Sequence, residues 1–304
     1  MGARSAAPAL QPIPLEQLPP LPALRLAVVG HVEVVEFIAL ARLPQAGLVQ
    51  TAREVRGPLP GGGGAVAAVQ LARLSGGQVL FFTALGRDQA GEAAAAGLAE
   101  LGLELQVAWR QAPTRRGVSL SDASGERSIV VIGERLAPLA SDPLPWHALA
   151  HCDGVFASAT DARALRLARA AAVLTATPRL RLPVLQEAAV ALDALIGSAL
   201  DPAEHLPAEA LQPPPRLRIA TAGAAGGRVE GLGAFSAPSR QHPVLDSYGA
   251  GDSFAAGVTA GLAAGWSVHQ AISLGCHCGN ACLDGLGPYA SQLQLGGSRA
   301  GERG

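Results

Sequence analysis

The sequence contains no lysine; all 23 of its basic residues are arginine. That absence excludes the G-x-x-x-x-G-K-[ST] phosphate loop, so nucleotide chemistry in this chain has to proceed without its lysine. A coding bias toward Arg, Ala, Gly and Pro accounts for the missing lysine. Charge is also scarce: 15% of residues are charged against 49% hydrophobic, and the formal net charge is -1. Such a chain has a large interior and no field to attract nucleic acid, so no nucleic-acid partner is expected. Four cysteines, Cys152, Cys276, Cys278 and Cys282, are too few and too clustered for a disulfide framework in 304 residues. They point to a reducing compartment, the cytoplasm. No apolar run reaches the ~20 residues that a membrane span needs. The nearest candidate, Ser253 to Trp266, is too short, so no membrane partner is expected.

What is present alternates. The segment 1–23 carries Pro8, Pro12, Pro14, Pro19, Pro20 and Pro22, which break any signal-peptide core, and it reads as a disordered tail. "LRLAVVG" from Leu24 is a short apolar run ending in Gly30, the pattern of a buried strand entering a loop. "GGGGAVAAVQLARLSGG" from Gly61 opens on glycines and continues as an Ala-rich helix, and "QVLFFTALG" from Gln78 is again a strand. "DQAGEAAAAGLAELG" reads as a helix with Asp88 as N-cap and Gly102 as stop. Between Gln106 and Gly133 the pattern changes to two strands around an Asp-Ala-Ser-Gly turn, a hairpin suited to a lid. Alternation then resumes through "DGVFAS", "DALIGS" and "LRIATAG" to a helix after Asp252 and another from Val268 to about Leu283. The rhythm predicts one doubly wound α/β domain over 24–292 with a mostly parallel sheet, followed by a flexible tail over 293–304.

The most informative stretch is "VLDSYGAGDSFAAGVTAGLAAG", from Val244. Gly249, Ala250 and Gly251 leave the backbone unobstructed where a helix begins, so successive N–H groups can face an anion with the positive end of the helix dipole behind them. A carboxylate at Asp252 would stand beside that anion, close enough to take a proton from an attacking hydroxyl. Alternatively, Asp252 is only the N-cap of an Ala-rich helix. Gly257, Gly261 and Gly265 recur every fourth residue and suit close packing against the sheet rather than membrane pairing.

The full string resembles the D-T-x-G-A-G-D signature of the ribokinase-like (pfkB-type) carbohydrate kinases, through Asp246, Gly249, Ala250, Gly251 and Asp252, with Ser247 for the usual Thr. Nearly the whole chain after the tail is similar to that family. Gly62 and Gly63 match its N-terminal glycine motif; Gly86, Asp88, Gly91, Leu98 and Gly102 match its central run. "TAGAAGG" resembles its T-x-G-x-x-G turn, and "GLGPY" its closing segment. The resemblance implies an ATP-dependent kinase acting on a sugar or sugar-like small molecule. Asp252 would be the base, and Gly249, Ala250 and Gly251 the hole for the γ-phosphoryl group. Thr221, Gly223 and Gly226, with Cys276 and Asn280 on the last helix, would line the nucleotide. Glu33, Gly62, Gly63 and Asp252 would face the substrate. Asp246 falls where relatives bind a monovalent cation, K⁺. A lid built from segments of about 32–58 and 104–135 would close over the acceptor and serve for homodimer contact.

Three departures from the family pattern bear on the substrate and metal. After the first strand, Glu33 and Val35 stand where relatives carry Asn and Asp, and Ala67 replaces a further Asn. The N-x-x-E motif that organises water around Mg²⁺ is represented by Ser198 and Asp201, with Glu204 a turn further on. Asp201 suits a Mg²⁺-bound water and equally suits the start of a helix. "CHCGNAC" from Cys276 has zinc-like spacing, but one helix cannot wrap a tetrahedral site, which favours small buried helix residues. A nucleoside kinase and a catalytically silent ligand-binding relative are the alternative functions.

Overall fold

The computed structural model describes residues 9–125 and 127–295. In chain order the strands are β1 (Leu26–Val29), β2 (Glu33–Ala39), β3 (Glu54–Gly61), β4 (Val79–Gly86), β5 (Leu103–Arg110), β6 (Arg116–Ser121), β7 (Arg127–Ile132), β8 (Gly154–Ala157), β9 (Val173–Ala176), β10 (Ala194–Ser198), β11 (Arg218–Thr221), β12 (Gly227–Val229) and β13 (Gly233–Phe235). The helices are α1 (Gly63–Ser75), α2 (Gln89–Glu100), α3 (Ala162–Ala168), α4 (Leu182–Ala188), α5 (Ala250–Ala263) and α6 (Val268–Cys282).

Nine strands form the main sheet in the order β13-β12-β11-β10-β9-β8-β1-β4-β5. It is parallel from β11 through β5, and the β11–β12 and β12–β13 pairs at its other edge are antiparallel. Successive residues of a strand face opposite sides, and both sides here are apolar. Leu26, Val28, Phe81 and Phe156 pack toward α1, α5 and α6, whereas Ala27, Val29, Phe82 and Val155 pack toward α3 and α4. The doubly wound, mostly parallel sheet expected from the sequence is the observed architecture.

The lid is a separate four-stranded sheet ordered β3-β2-β6-β7. Its expected hairpin is β6–β7, turning at Asp122, whose carboxylate accepts from the backbone N–H of Ser124 at 2.9 Å. The second lid segment is shorter than expected. Leu103–Arg110 pairs with β4 along its whole length and forms the edge of the main sheet, so only the chain from about Arg115 belongs to the lid. Val35, Phe37, Val66, Tyr248 and Leu286 form a small core beneath the lid.

Two further expectations are corrected. Residues 9–23 are not a free tail. Leu10 bridges Phe235 at the sheet edge, the N–H of Ile13 donates to Ser273 Oγ at 2.9 Å, and Leu10, Leu15, Leu18 and Leu21 lie against the main core. The prolines stop helix and sheet from continuing but leave the leucines free to bury apolar surface. Residues 1–8 and 296–304, the outer parts of the two expected tails, lie outside the described residues. The α5 glycines face α6 rather than the sheet: a Cβ on Gly257 would stand 2.8 Å from Gly275 Cα, and one on Gly261 2.7 Å from Ala271 Cα.

Candidate active site

Two helices begin at one point. Gly62 (φ 88°) precedes α1 and Gly249 (φ 80°) precedes α5, and both hold left-handed conformations that favour glycine. A Cβ on Gly62 would meet the His31 ring at 3.1 Å, and one on Gly249 would meet Val66 Cγ1 at 2.8 Å. Gly251, in the first turn of α5, has nothing within 4 Å of where its Cβ would be, so the space in front of this helix end is open. The first N–H groups of α5 lie at that open end, where the Ala250 N–H donates to the Ser247 carbonyl at 3.4 Å.

Asp252 stands in that first turn, partly exposed to the cleft. Burial raises its pKa above the usual carboxylate value; Arg179 pulls the other way, and Glu204 adds to the rise. Arg179 comes from the turn after β9, where sequence patterning gave no signal. Burial opposes its charge, but Asp252, Glu204 and Asp201 outweigh burial and hold its pKa above the ordinary arginine value. Its Nε donates to Glu204 Oε1 at 2.5 Å.

Glu33 is not free. The hydroxyl of Tyr248 donates to Glu33 Oε1 at 2.9 Å and accepts from the backbone N–H of Gly62 at 2.8 Å. Glu33 Oε2 also lies 3.2 Å from Arg115 Nε. Burial, then the neighbouring Glu33, raises the Tyr248 pKa well above that of a free phenol, so Tyr248 keeps its proton and bridges the lid to the glycine loop. Beside it His31 is neutral, its pKa lowered to about 3 by burial and by the charges of Arg135, Arg115 and Arg179. Val35 and Ala67 are fully buried, so neither position offers a polar group to the cleft.

The candidate cation residues differ in their surroundings. Asp246 is 1% exposed, and its two oxygens accept from the backbone N–H groups of Tyr248 at 2.9 Å and Gly287 at 3.0 Å. It makes no ion pair among the described residues. Asp201 caps a short 3-10 turn by accepting from the N–H of Ala203 at 3.0 Å, and its other oxygen lies 3.8 Å from Arg179 Nη2. Its side chain is well exposed, whereas Glu204 is buried between Arg179 and the N–H of Ser198. Among the described residues no group of three or more acidic, His or Cys side chains is placed to bind a metal.

The Thr221–Gly226 loop joins β11 to β12. The N–H of Ala199 donates to the Thr221 carbonyl at 2.7 Å, tying this loop to the Asp201 turn. Gly223 (φ 57°) is exposed at the tip, and Gly226 is buried where a Cβ would lie 2.0 Å from the Phe235 carbonyl. On α6, Asn280 Oδ1 accepts from Arg240 Nη1 at 3.0 Å, and Cys276 Sγ approaches the Ser236 carbonyl at 3.9 Å. All four cysteines are free and buried, and burial pushes the Cys276 and Cys282 thiols up to about 12. Arg240, like Arg179 and Tyr248, was not among the residues singled out from the sequence.

A family model described as pfkB family carbohydrate kinase matches residues 23–201 and 191–294. Among curated protein sequences none is significantly similar. Solved structures are similar in fold. Ribokinase from Cryptococcus neoformans in complex with ADP is 24% identical, with a TM-score of 0.66 over 87% of this chain and 95% of that one. Arabidopsis thaliana ribokinase complexed with ribose and ATP is 19% identical, with a TM-score of 0.66 over 87% and 94%. Adenosine kinase from Sinorhizobium meliloti is 19% identical, with a TM-score of 0.67 over 88% and 96%. With the family model covering nearly all of the described residues, the chain belongs to the pfkB family of carbohydrate kinases, phosphotransferases with an alcohol group as acceptor.

Proposed function

We propose that this chain transfers the γ-phosphoryl group of ATP to a hydroxyl of a sugar or sugar-like molecule, with Asp252 as general base. The observation that carries this reading is the position of Asp252 in the first turn of α5, against Gly63 at the first turn of α1 and open to the cleft at Gly251. In the reaction the acceptor oxygen bonds to the γ-phosphorus as the bond to the β–γ bridging oxygen breaks. The acceptor proton passes to Asp252, and ADP leaves. A carboxylate with a raised pKa holds that proton better than an ordinary one. The N–H groups at Gly249, Ala250 and Gly251 stabilise charge on the transferring group without reorganising. Thr221, Gly223 and Gly226 are the backbone platform for the nucleotide, with Asn280, fixed by Arg240, behind it. The ADP and ATP of the two ribokinase structures support that assignment.

The exposed Asp201 fits Mg²⁺, which uses one or two carboxylates and keeps several waters. Bound there, the ion would neutralise charge on the phosphates. Asp246, a buried carboxylate without an ion-pair partner among the described residues, fits a nearby monovalent cation such as K⁺. The closing of Tyr248 and Glu33 over Gly62 is how the lid keeps water from the γ-phosphoryl group. β7 is an edge strand with Ile129, Val130, Val131 and Ile132 exposed, which supports homodimer formation through the lid. The four free cysteines are in keeping with a cytoplasmic protein. No helix among the described residues is long and apolar enough to cross a membrane.

The test is release of ADP from ATP and Mg²⁺ with a panel of sugars, sugar derivatives and nucleosides. Acceptor-dependent release, absent without the acceptor, is the expected result. Binding of acceptor and ATP with no release by any member would leave a silent ligand-binding protein instead.

A further inference from the structure

The acceptor end of the cleft gathers four arginines. Arg115 precedes β6 and Arg135 follows β7, so both belong to the lid, whereas Arg179 and Arg181 lie between β9 and α4 on the body. The two groups meet, since Arg135 Nη2 donates to the Arg179 carbonyl at 3.1 Å. Carboxylates pair with only two of the four, and Asp201 and Asp252 add to Glu204 in holding Arg179. Glu33 faces Arg115 at 3.2 Å and Glu204 faces Arg179 at 2.5 Å, but among the described residues none forms an ion pair with Arg135 or Arg181.

Arg135 carries a desolvation cost, whereas Arg181 is exposed and carries a backbone one. Arg135 is partly buried, and its pKa is lowered by that burial and then by the charges of Arg181, Arg115 and Arg179, with Glu33 acting in the opposite direction. A guanidinium withdrawn from water and crowded by others of its sign is unfavourable until an anion joins it. Arg181 holds φ 73°, a left-handed conformation that is uncommon for a non-glycine residue, and its N–H is fixed on the Pro178 carbonyl at 2.8 Å. Close by, buried His31 leaves its Nδ1 without a hydrogen-bond partner.

We infer that the acceptor carries an anionic group, a phosphate monoester or a carboxylate, seated between Arg135 of the lid and Arg181 of the body; this rests on the kinase reading above. Planar guanidinium groups bind either anion through paired N–H donors. An anion shared by lid and body also offsets the like charge between them, which favours an anionic acceptor over its neutral counterpart.

The test is calorimetric titration of the intact protein, with Mg²⁺ and saturating β,γ-imido-ATP filling the nucleotide site. The probes are inorganic phosphate, fructose 6-phosphate, ribose 5-phosphate and gluconate, set against fructose, ribose and glucitol. At least one anionic probe should bind about 10-fold or more tightly than its neutral counterpart. Arg135→Gln and Arg181→Gln should each weaken that binding about 10- to 100-fold, the scale of a lost charge-assisted contact. Arg135→Lys, which keeps the charge, should retain part of the preference. A phosphate preference identifies a sugar phosphate, and a gluconate preference a sugar acid. The inference is overturned if no anionic probe binds wild type more tightly than it binds Arg135→Gln, or if neutral sugars bind as well as their anionic partners. ADP release with ATP separates the two readings. Anion binding lost in Arg135→Gln without any ADP release removes the kinase and keeps the anion site. Release with a neutral sugar at equal or higher kcat/KM keeps the kinase and removes the anion site.

Discussion

A Cβ on Gly63 would lie 2.6 Å from Asp252 Oδ1, so the first residue of α1 and the first turn of α5 meet with no room for a side chain. Gly63→Ala should fold, because alanine suits a helix and the clash falls on the movable end of a side chain. Asp252 has to swing away. Displacing a catalytic group by about 1 Å can cost on the order of 10²-fold in rate, so kcat should fall by roughly 10- to 100-fold while the melting temperature holds or rises. Wild-type kcat in Gly63→Ala would mean that Asp252 need not sit where it does.

Stability should depend on pH through the same carboxylate. The folded pKa of Asp252 is raised above its unfolded value, so the folded state binds the proton more readily and stability falls as pH rises from the ordinary aspartate pKa through the folded one. Asp252→Asn should therefore melt at a higher temperature than wild type at pH 8, and the difference should vanish below the ordinary aspartate pKa. Thermal denaturation of both proteins across pH checks it, and a variant less stable at pH 8 contradicts it.

Tyr248→Phe removes the hydroxyl that joins Glu33 to the Gly62 N–H. A buried donor left unpaired costs about 1 to 3 kcal/mol, and urea unfolding should register a loss on that scale. An unchanged unfolding midpoint would show that the bridge adds nothing.

Ribose should be a poor substrate. Val35 and Ala67 are buried apolar residues at positions where the resemblance to ribokinase-like kinases implies polar groups for sugar hydroxyls. Two lost contacts would lower specificity for ribose by on the order of 10²-fold or more if they add. Steady-state kinetics with ribose, fructose and adenosine decide the matter, and ribose giving the highest kcat/KM would contradict it.

Local chemistry made the helix starts and turns readable from sequence. The glycines before Asp252, the Asp88 cap and the Asp122 turn each depend on residues within a few positions, and each is where local rules put it. Residues recruited by long-range packing carried no such signal. Arg179 reaches Glu204 across two elements, Arg240 reaches Asn280 across 40 positions, and Tyr248 meets Glu33 across 215. The segment 9–23 misled for a related reason: its prolines mask the leucines that dock on α6, since no periodicity marks an irregular chain.

Turnover by Asp252→Asn tests the central claim most directly. With any accepted substrate the variant should still bind ATP and Mg²⁺ while kcat falls by ~10²-fold or more, the scale of a positioned general base. Turnover at the wild-type rate would contradict Asp252 as the base and return it to the role of a helix-terminal carboxylate.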